Sequence, residues 1–361
     1  MSRMLGITAA VVLLAGCGSA ATPDLTASPT MAPAVETTTP AEASPTPTAT
    51  TAATPAPSAA RLPAFAPDEP LVAFNQLTGA GGGLFVARPD GTGTEQLATD
   101  ILPGVHKGVD WSPDGQRLVF IDEASERMWI AHLDGSATEP VAACYKPGCD
   151  HAAWSPDGTR IAFSRYQNAD GIVGPAAVGI YVVDLATGRV SPVVKLERPY
   201  LADVPRWSPD GSQIVFSVDR MDADAYDTGA AIAIVPVAGG EPRYLTEFEM
   251  FASAPDWSWA TNEIAFSRDL IETKRAPEPG DDTRDLYGIR PDGSGLRTIT
   301  KARTGQALKG PRWTPNGTAI TAYDTMLPGG VLVDPATGSF EPFVTTLPFT
   351  RPVVRPMPGT R

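Results

Sequence analysis

The sequence has few of the residues on which catalytic and metal centres depend. It contains three histidines and three cysteines, and no Gly-x-Ser-x-Gly segment of the kind that presents the nucleophilic serine of α/β-hydrolases. Histidine and cysteine are also the usual ligands of zinc. We therefore expect no catalytic residues, no metal site and no cofactor, with an enzyme as the alternative.

Basic residues are also scarce. The 28 Lys and Arg residues are outnumbered by 41 Asp and Glu residues, which gives a formal net charge of −13. Proteins that bind nucleic acid need clustered Lys and Arg side chains to neutralise phosphates. The composition therefore excludes nucleic acid as a partner, and the acidity is typical of a surface that keeps a protein soluble.

The N-terminus carries a short hydrophobic run. In residues 1–16 one arginine precedes the apolar residues from Leu5 to Ala15, a run too short for a transmembrane helix. The run leads into Leu-Ala-Gly-Cys, which ends at Cys17 and resembles the bacterial lipobox at every position. The resemblance implies that residues 1–16 are a signal peptide and that Cys17 is lipidated and becomes the first residue of the mature protein.

The next segment lacks lysine, arginine and aromatic residues. Residues 18–60 are almost entirely Ala, Thr, Pro, Ser and Gly. Such a composition cannot bury enough apolar surface to offset the loss of conformational entropy on folding. We predict that residues 17–60 are a disordered tether between the lipid on Cys17 and a folded domain of residues 61–361.

The two remaining cysteines are close together. Cys144 and Cys149 flank a Pro-Gly pair. In an exported protein this spacing favours a disulfide that closes a small loop. Free thiols and a metal site are the alternatives. A metal site would need more ligands than the sequence offers here, because His151 is the one further His or Cys nearby.

After residue 60 the sequence shows no sustained helical periodicity, but it repeats. A segment that begins with Trp-Ser-Pro-Asp-Gly, or a variant of it, and continues into an apolar run occurs five times, and a degenerate copy spans Phe65–Phe74. Successive tryptophans are 43 to 56 residues apart, which is typical of four-stranded propeller blades. The five copies begin at Trp111, Trp154, Trp207, Trp257 and Trp313.

The residue types of this motif predict its local structure. Proline presets φ, aspartate accepts hydrogen bonds from nearby backbone, and glycine tolerates positive φ, so the four residues after the tryptophan form a turn. The apolar run that follows, as in Leu118–Phe120, is typical of a strand buried on both faces. The tryptophan is large enough to fill the space between blades. The copy at Trp257 continues Ser-Trp-Ala-Thr-Asn, so we expect its turn to differ.

A second repeat follows each copy of the first. It consists of two strand-like runs joined by a tight turn that contains glycine, which predicts a hairpin. Six copies of each repeat predict an all-β fold, a six-bladed β-propeller of four-stranded antiparallel blades preceded by a disordered linker. The second repeats are Leu84–Thr99, Met128–Ala143, Ile180–Val194, Ile232–Thr246, Leu286–Thr300 and Val331–Thr346.

These residues resemble the TolB-type propeller repeat, a WD-like family of periplasmic and surface proteins, over roughly residues 62–355. The signature is specific for the repeat and weak for any one function. The tail Val353–Gly359 echoes Pro205–Gly211. The echo suggests that the tail adds a strand to the first blade and hides its edge, although the way in which the ring closes stays open.

The strand order separates two faces of the propeller. We label the four strands of each blade A to D from the channel outward. The Ser-Pro-Asp-Gly turns join A to B, and the short glycine turns join C to D. Both sets of turns lie at one end of the propeller, which we name the turn face. The other end, the irregular face, carries the B–C loops and the links between blades. Long loops on a rigid scaffold often bind ligands. We predict that this face is functional in blades three to five, at Ser164–Gly179, Ser217–Ala231 and Ser267–Asp285.

Two of these loops are acidic and supply the candidate ligand-binding residues. We consider three interpretations: a solvated loop, recognition of a basic partner, or a cation site, which would lack the complete pattern of a calcium loop. The residues that precede the repeat tryptophans either line the channel mouth or pair their charges around the axis. The candidates in the loops are Asp219, Asp222, Asp224, Asp227, Asp281, Asp282 and Asp285, and those before the tryptophans are Asp110, Ala153, Arg206, Asp256 and Arg312.

The sequence therefore predicts a lipoprotein held through Cys17 in the outer leaflet of the bacterial cell membrane, at the cell surface or in the periplasm. Its propeller is expected to be a non-catalytic monomer that binds a protein or a cell-envelope glycan through the irregular face. The alternative is a propeller hydrolase or lyase that acts on a sugar, lactone or peptide. A fold does not by itself identify the ligand.

Overall fold

The structure is a computed structural model. It describes residues 65–66, 68–76, 82–101, 106–122, 125–141, 144, 148–167, 177–222, 227–270, 283–327, 329–343 and 349–356. All of them belong to one compact unit, Ala56–Arg361. The predicted signal peptide, Cys17 and the rest of the tether lie outside the described residues.

Within these ranges the chain forms six four-stranded antiparallel sheets, which are the blades of a β-propeller and confirm the predicted fold class. Strands A to D of each blade run from the central channel outward. No helix in the described part is long and apolar enough to cross a membrane.

The first three blades show this order of strands from A to D. Blade one contains β24 (Phe349–Val354), β1 (Val72–Gln76), β2 (Gly83–Ala87) and β3 (Glu95–Leu97). Blade two contains β4 (His106–Trp111), β5 (Arg117–Asp122), β6 (Arg127–His132) and β7 (Glu139–Val141). Blade three contains β8 (Cys149–Trp154), β9 (Arg160–Gln167), β10 (Ala177–Asp184) and β11 (Val190–Glu197).

The remaining blades follow the same order. Blade four contains β12 (Tyr200–Trp207), β13 (Gln213–Met221), β14 (Asp227–Pro236) and β15 (Arg243–Tyr244). Blade five contains β16 (Ala252–Trp257), β17 (Ile264–Asp269), β18 (Arg284–Ile289) and β19 (Arg297–Thr298), and a short 3-10 helix, Phe248–Met250, precedes it. Blade six contains β20 (Leu308–Trp313), β21 (Ile320–Asp324), β22 (Gly330–Val333) and β23 (Phe340–Phe343).

The hydrophobic core lies between neighbouring blades. Consecutive residues of strand B, such as Leu118, Val119 and Phe120, are all buried, because each sheet is covered on both faces. The five repeat tryptophans are at most 9% exposed. Trp154 packs with Val119 of the preceding blade, as predicted for a side chain that fills the space between two sheets.

The Ser-Pro-Asp-Gly segments form the expected turns. Asp114 Oδ1 accepts a hydrogen bond from the backbone N–H of Gln116 at 3.0 Å, and Gly115 has φ of 66°. The copy at Trp257 keeps the turn length but differs in detail. Its left-handed residue is Asn262, with φ of 56°, whose side-chain oxygen accepts a hydrogen bond from Trp257 Nε1 at 2.8 Å. This asparagine lies one position after the place that glycine holds in the other copies, where Thr261 stands instead, and asparagine tolerates the left-handed conformation.

The C-terminal strand closes the ring. Strand β24 occupies position A of blade one and pairs antiparallel with β1, which confirms the strand suggested by the tail. Trp111 Nε1 donates a hydrogen bond to the carbonyl of Val353 at 2.9 Å and so joins blade two to this strand. Both chain ends of the propeller therefore lie in one blade, and β1 has no free inner edge.

Candidate functional site

A β-bulge occurs in strand A of blades two to six. In each case the register shifts just before the tryptophan, and the residue three positions before the tryptophan has a left-handed backbone conformation. Three of these residues are not glycine, and such strain is typical of functional sites. The five residues are Gly108, His151, Val204, Ala254 and Gly310.

The residues directly before the tryptophans form an ion network around the propeller axis. Arg312 contacts Asp110 through Nη2, and its Nε lies 3.2 Å from Asp256 Oδ1. Arg206 Nε lies 3.3 Å from the same Asp256 oxygen. The two aspartates are 7% exposed and also accept hydrogen bonds from backbone N–H groups, including that of Trp313 at 2.7 Å. The charges are therefore paired around the axis, which was one of the two sequence-based interpretations.

This network separates two spaces of unequal size. On the turn-face side, beside the tryptophans, the free volume is about 70 Å³. On the irregular-face side a cavity of about 330 Å³ lies along the axis. Volumes above about 300 Å³ are common for ligand sites. The cavity lies toward the face for which the loop pattern predicts function.

The cavity has one polar wall and one apolar wall. The polar wall comes from blades two and three and contains Lys107, Asp150 and His151. The apolar wall comes from blades five and six. Arg206 and Arg312 of the ion network also line the cavity. The apolar wall is made by Ala254, Pro255, Gly310 and Pro311.

Asp150 is the centre of the polar wall. Its Oδ2 accepts hydrogen bonds from Lys107 Nζ and from Tyr166 Oη, both at 2.8 Å. Its Oδ1 accepts one from the backbone N–H of His151 at 2.8 Å. Burial and the charges of Asp203 and Asp150 raise the pKa of Tyr166, so its hydroxyl stays protonated and acts as a donor. The carboxylate thus fixes the position of the Lys107 ammonium beside the cavity.

A second carboxylate, Asp203, holds His151. Its Oδ1 lies 3.0 Å from His151 Nδ1 and accepts hydrogen bonds from Ser164 Oγ at 2.5 Å and from the backbone N–H of Val204 at 2.8 Å. Burial disfavours ionisation of Asp203, but the charge of His151 and these hydrogen bonds outweigh it and lower the pKa of Asp203 to about 2. The histidine and the serine share one carboxylate oxygen, an arrangement different from the serine–histidine–aspartate chain of a hydrolase.

We expect Asp203→Asn to reduce stability in a pH-dependent way. The folded-state pKa of about 2 lies below the ordinary value of 3.8, so the ionised group stabilises the fold above about pH 4. The contribution, about 2 kcal/mol, is lost as the pH falls toward 2. Urea denaturation should therefore show a gap between wild type and variant at pH 6 that closes near pH 2.

Asp157→Asn is the matched control for this prediction. Turn hydrogen bonds from Ser155 and Thr159 outweigh burial and lower the pKa of Asp157 to about 2 as well, but its side chain is 52% exposed. Solvent screening should make its effect on stability well below that of Asp203. Equal gaps at pH 6 for the two variants would contradict the assignment of Asp203 to a buried network.

Those of the predicted acidic residues that the structure describes do not come together at this site. Asp219 lies within β13, and Asp222 is exposed directly after that strand. Asp227 begins β14, so the expected loop Ser217–Ala231 is shorter than predicted because both strands continue into it. Asp285 is buried in β18 and accepts hydrogen bonds from Thr300 Oγ1 and the backbone N–H of Ala302. Asp224, Asp281 and Asp282 lie outside the described residues.

The predicted disulfide is present. Cys144 and Cys149 are bonded, and both are buried. Cys149 is the first residue of β8, the strand that carries Asp150 and His151 into the polar wall. In the ranges that the structure describes, no group of three or more His, Cys, Asp and Glu side chains is placed to hold a metal ion.

The sequence does contain a signal for the polar wall, which the loop-based prediction missed. The residue four positions before each repeat tryptophan is always polar. Three of these residues are charged groups in or beside the polar wall, and they face the axis because the bulge turns strand A there. The five residues are Lys107, Asp150, Asp203, Ser253 and Lys309.

Comparisons with known proteins agree with the fold. No protein-family model matches the chain. A curated relative, the uncharacterized peptidase YuxL of Bacillus subtilis, is 24% identical over an alignment of 213 residues, and the match covers 47% of this chain and 30% of the relative. The chain thus spans less than a third of that protein.

Two solved structures share the propeller. TolB from Acinetobacter baumannii has 16% identity and a TM-score of 0.54, over 79% of this chain and 65% of that chain. A chain from a nidogen/laminin complex has 9% identity and a TM-score of 0.58, over 79% of this chain and 98% of that chain. The fold is thus that of a TolB-like six-bladed propeller, as the repeat resemblance implied.

Proposed function

We propose that this protein is an extracytoplasmic lipoprotein whose propeller binds a protein partner, without catalysis, at the cavity on its irregular face. The observation that carries the proposal is the asymmetry of the channel. The ion network and the tryptophans fill it toward the turn face, while a cavity of about 330 Å³ with fixed polar groups lies toward the irregular face. A preformed cavity with a few positioned polar groups is the usual form of a binding site.

The sequence supports the location. The lipobox-like segment that ends at Cys17 and the composition of residues 17–60 support a location outside the cytoplasm with attachment to a membrane by lipid, and the Cys144–Cys149 disulfide fits an oxidising compartment. A partner protein is favoured because a propeller of this fold occurs in a nidogen/laminin complex and in TolB.

Catalysis is the second candidate function, and one observation favours it. His151 lines the cavity and contacts the ionised Asp203, as a general base often contacts an orienting carboxylate. The partial match to a protein named as a peptidase points the same way. The binding proposal is preferred because the Ser164 hydroxyl donates its hydrogen bond to Asp203 and not to His151, so His151 does not activate it as a nucleophile in this arrangement.

In-cell photocrosslinking tests the binding proposal. A photoreactive phenylalanine analogue at Val204, which lines the cavity, should crosslink a partner protein in cells that express the full chain. Ala254→Trp in the same chain should abolish this adduct, because the indole fills the cavity against the apolar wall. Ala186→Trp, in an exposed turn on the turn face, is the matched control and should leave the adduct unchanged.

The anchor is tested in the same cells. Cys17→Ala should move the protein from the membrane fraction to the soluble fraction, because the lipid is attached to the thiol of that residue. A Val204 adduct that survives Ala254→Trp would overturn binding at the cavity. A Cys17→Ala protein that stays in the membrane fraction would overturn the lipid anchor.

A further inference from the structure

The carboxylate that lines the cavity already accepts several hydrogen bonds from the protein. Asp150 accepts hydrogen bonds from three donors, namely Lys107 Nζ, Tyr166 Oη and the backbone N–H of His151. Asp203 is not among the residues that line the cavity, and three groups contact its Oδ1. Asp150, the carboxylate that does line it, therefore has few acceptor sites left for a ligand that carries hydrogen-bond donors or a positive charge.

Two cations that line the cavity still have N–H groups to donate. Lys107 Nζ has three N–H groups, and among the described residues Asp150 is the one acceptor within hydrogen-bond distance. Arg312 directs Nη2 to Asp110 and Nε to Asp256. Among the residues that the structure describes, no acceptor lies within hydrogen-bond distance of Arg312 Nη1. Asp110 and Asp256 line the turn-face side of the network and not the cavity. The cavity therefore presents positive charge and spare donors.

The apolar side of the cavity determines which group of the ligand can pack next to the polar wall. Ala254, Pro255, Pro311 and Val353 are small and apolar, which suits an aliphatic side chain. No Phe, Tyr or Trp side chain is among the residues that line the cavity in the described structure. A sugar ring would therefore find none of the large aromatic rings on which sugars stack, and the lining favours a peptide.

We propose that the cavity binds a carboxylate of an acidic peptide segment of the partner protein. This inference rests on the binding function proposed above and names the chemistry that the site recognises. Lys107 Nζ and Arg312 Nη1 donate hydrogen bonds to the carboxylate, which are strong because both partners are charged. The aliphatic side chain next to it packs against the wall that contains Ala254 and Pro311. A site of about 330 Å³ takes one or two residues of the peptide.

Calorimetric titration of the full chain, purified in detergent, tests this inference. The probes are the tetrapeptide Ac-Ala-Val-Ala-Glu, its uncharged counterpart Ac-Ala-Val-Ala-Gln-amide, and glucuronic acid. We expect the acidic tetrapeptide to bind at least tenfold more tightly than the amide peptide and than glucuronic acid. Lys107→Met should weaken its binding at least tenfold, and Lys107→Arg should retain it within about threefold, because the arginine restores the charge-assisted hydrogen bond.

Matched variants separate recognition from folding. Lys301→Met removes an exposed lysine outside the cavity and should not change affinity. Lys107→Gln keeps a hydrogen-bond donor for Asp150 and should lose affinity as Lys107→Met does. Three outcomes would overturn the inference: equal binding of the acidic and amide peptides, unchanged affinity in both Lys107→Met and Lys107→Gln, or tighter binding of glucuronic acid.

The two proposals fail in different experiments. If the acidic and amide peptides bind equally while Ala254→Trp abolishes the cellular adduct at Val204, the protein binds a partner at the cavity but not through a carboxylate. If Ala254→Trp leaves that adduct intact, the binding site itself is wrong.

Discussion

Substitution of Arg355 by alanine should lower the free energy of unfolding by roughly 4 kcal/mol. Arg355 is 1% exposed, and its guanidinium donates hydrogen bonds to the carbonyl oxygens of Gly115 at 2.8 Å, Ala66 at 3.0 Å and Glu69 at 3.2 Å. The hydrogen bond to Gly115 is buried and the other two are partly buried. A fully buried acceptor left without a partner costs about 1–3 kcal/mol, and the partly buried carbonyls add to that loss by less. The effect should be large because this one side chain joins the first and last strands of the ring to blade two.

Urea denaturation at neutral pH measures this effect, and Arg160→Ala is the matched control. The Arg160 guanidinium lies 4.7 Å from the ring centroid of Trp207, as that of Arg355 lies 6.0 Å from the ring centroid of Trp111. Arg160 is more exposed, and its guanidinium contacts the Asp157 side chain instead of buried carbonyls, so its loss should cost less than about 1 kcal/mol. Equal losses for the two variants would show that ring closure does not depend on the carbonyl contacts of Arg355.

The second large effect is expected from Arg312→Met. The substitution keeps an apolar side chain but leaves Asp110 without its ionic partner and Asp256 with Arg206 alone. Breaking a buried ion pair in this way costs about 3–5 kcal/mol, because a charge stays buried without compensation. We therefore expect a loss of this order in urea denaturation at pH 7.

This loss should depend on pH in a defined direction. Burial already raises the pKa of Asp256 against the opposing effect of Arg312 and Arg206, and removal of Arg312 raises it further. A carboxyl with a raised folded-state pKa is tolerated better when it is protonated, so the deficit relative to wild type should shrink between pH 7 and pH 4.5. A deficit that is the same at both pH values would mean that packing, and not charge, is what Arg312 supplies.

A compensated variant separates the same two causes. Arg312→Met combined with Asp110→Asn and Asp256→Asn removes the unpaired charges and should recover most of the lost stability. The asparagine oxygens can still accept the backbone hydrogen bonds from Trp154 and Trp313. Recovery in the triple variant would establish the network as a set of mutually dependent charges.

These two effects bear on function because both residues hold the channel in shape. Arg312 separates the cavity from the turn-face side, and Arg355 keeps β24, which contributes Val353 to the cavity lining, in position. For this reason the binding tests use Lys107, Ala254 and Val204. These side chains face the cavity without being essential to ring closure.

The repeats by themselves determined the number of blades, the strand order and the two faces. The reason is local. A turn of Pro, Asp and Gly beside a run of apolar residues encodes its own hairpin, and repeated sheets of this kind have no way to bury both faces except against one another. Even the disulfide of Cys144 and Cys149 followed from spacing, because its two partners are close in the chain.

The tertiary structure decided which of the repeated polar positions form a site. Lys107 and Asp150 are 43 residues apart in the sequence, and Asp203 follows 53 residues later, but they meet because a bulge in each inner strand turns the same repeat position toward the axis. The acidic loops were predicted to bind a ligand because their charges are adjacent in the chain. Charges that are close in sequence are, however, usually solvated. The hydrogen-bond partners of a charge depend on distances between blades, and those distances exist only when the ring has closed around β24.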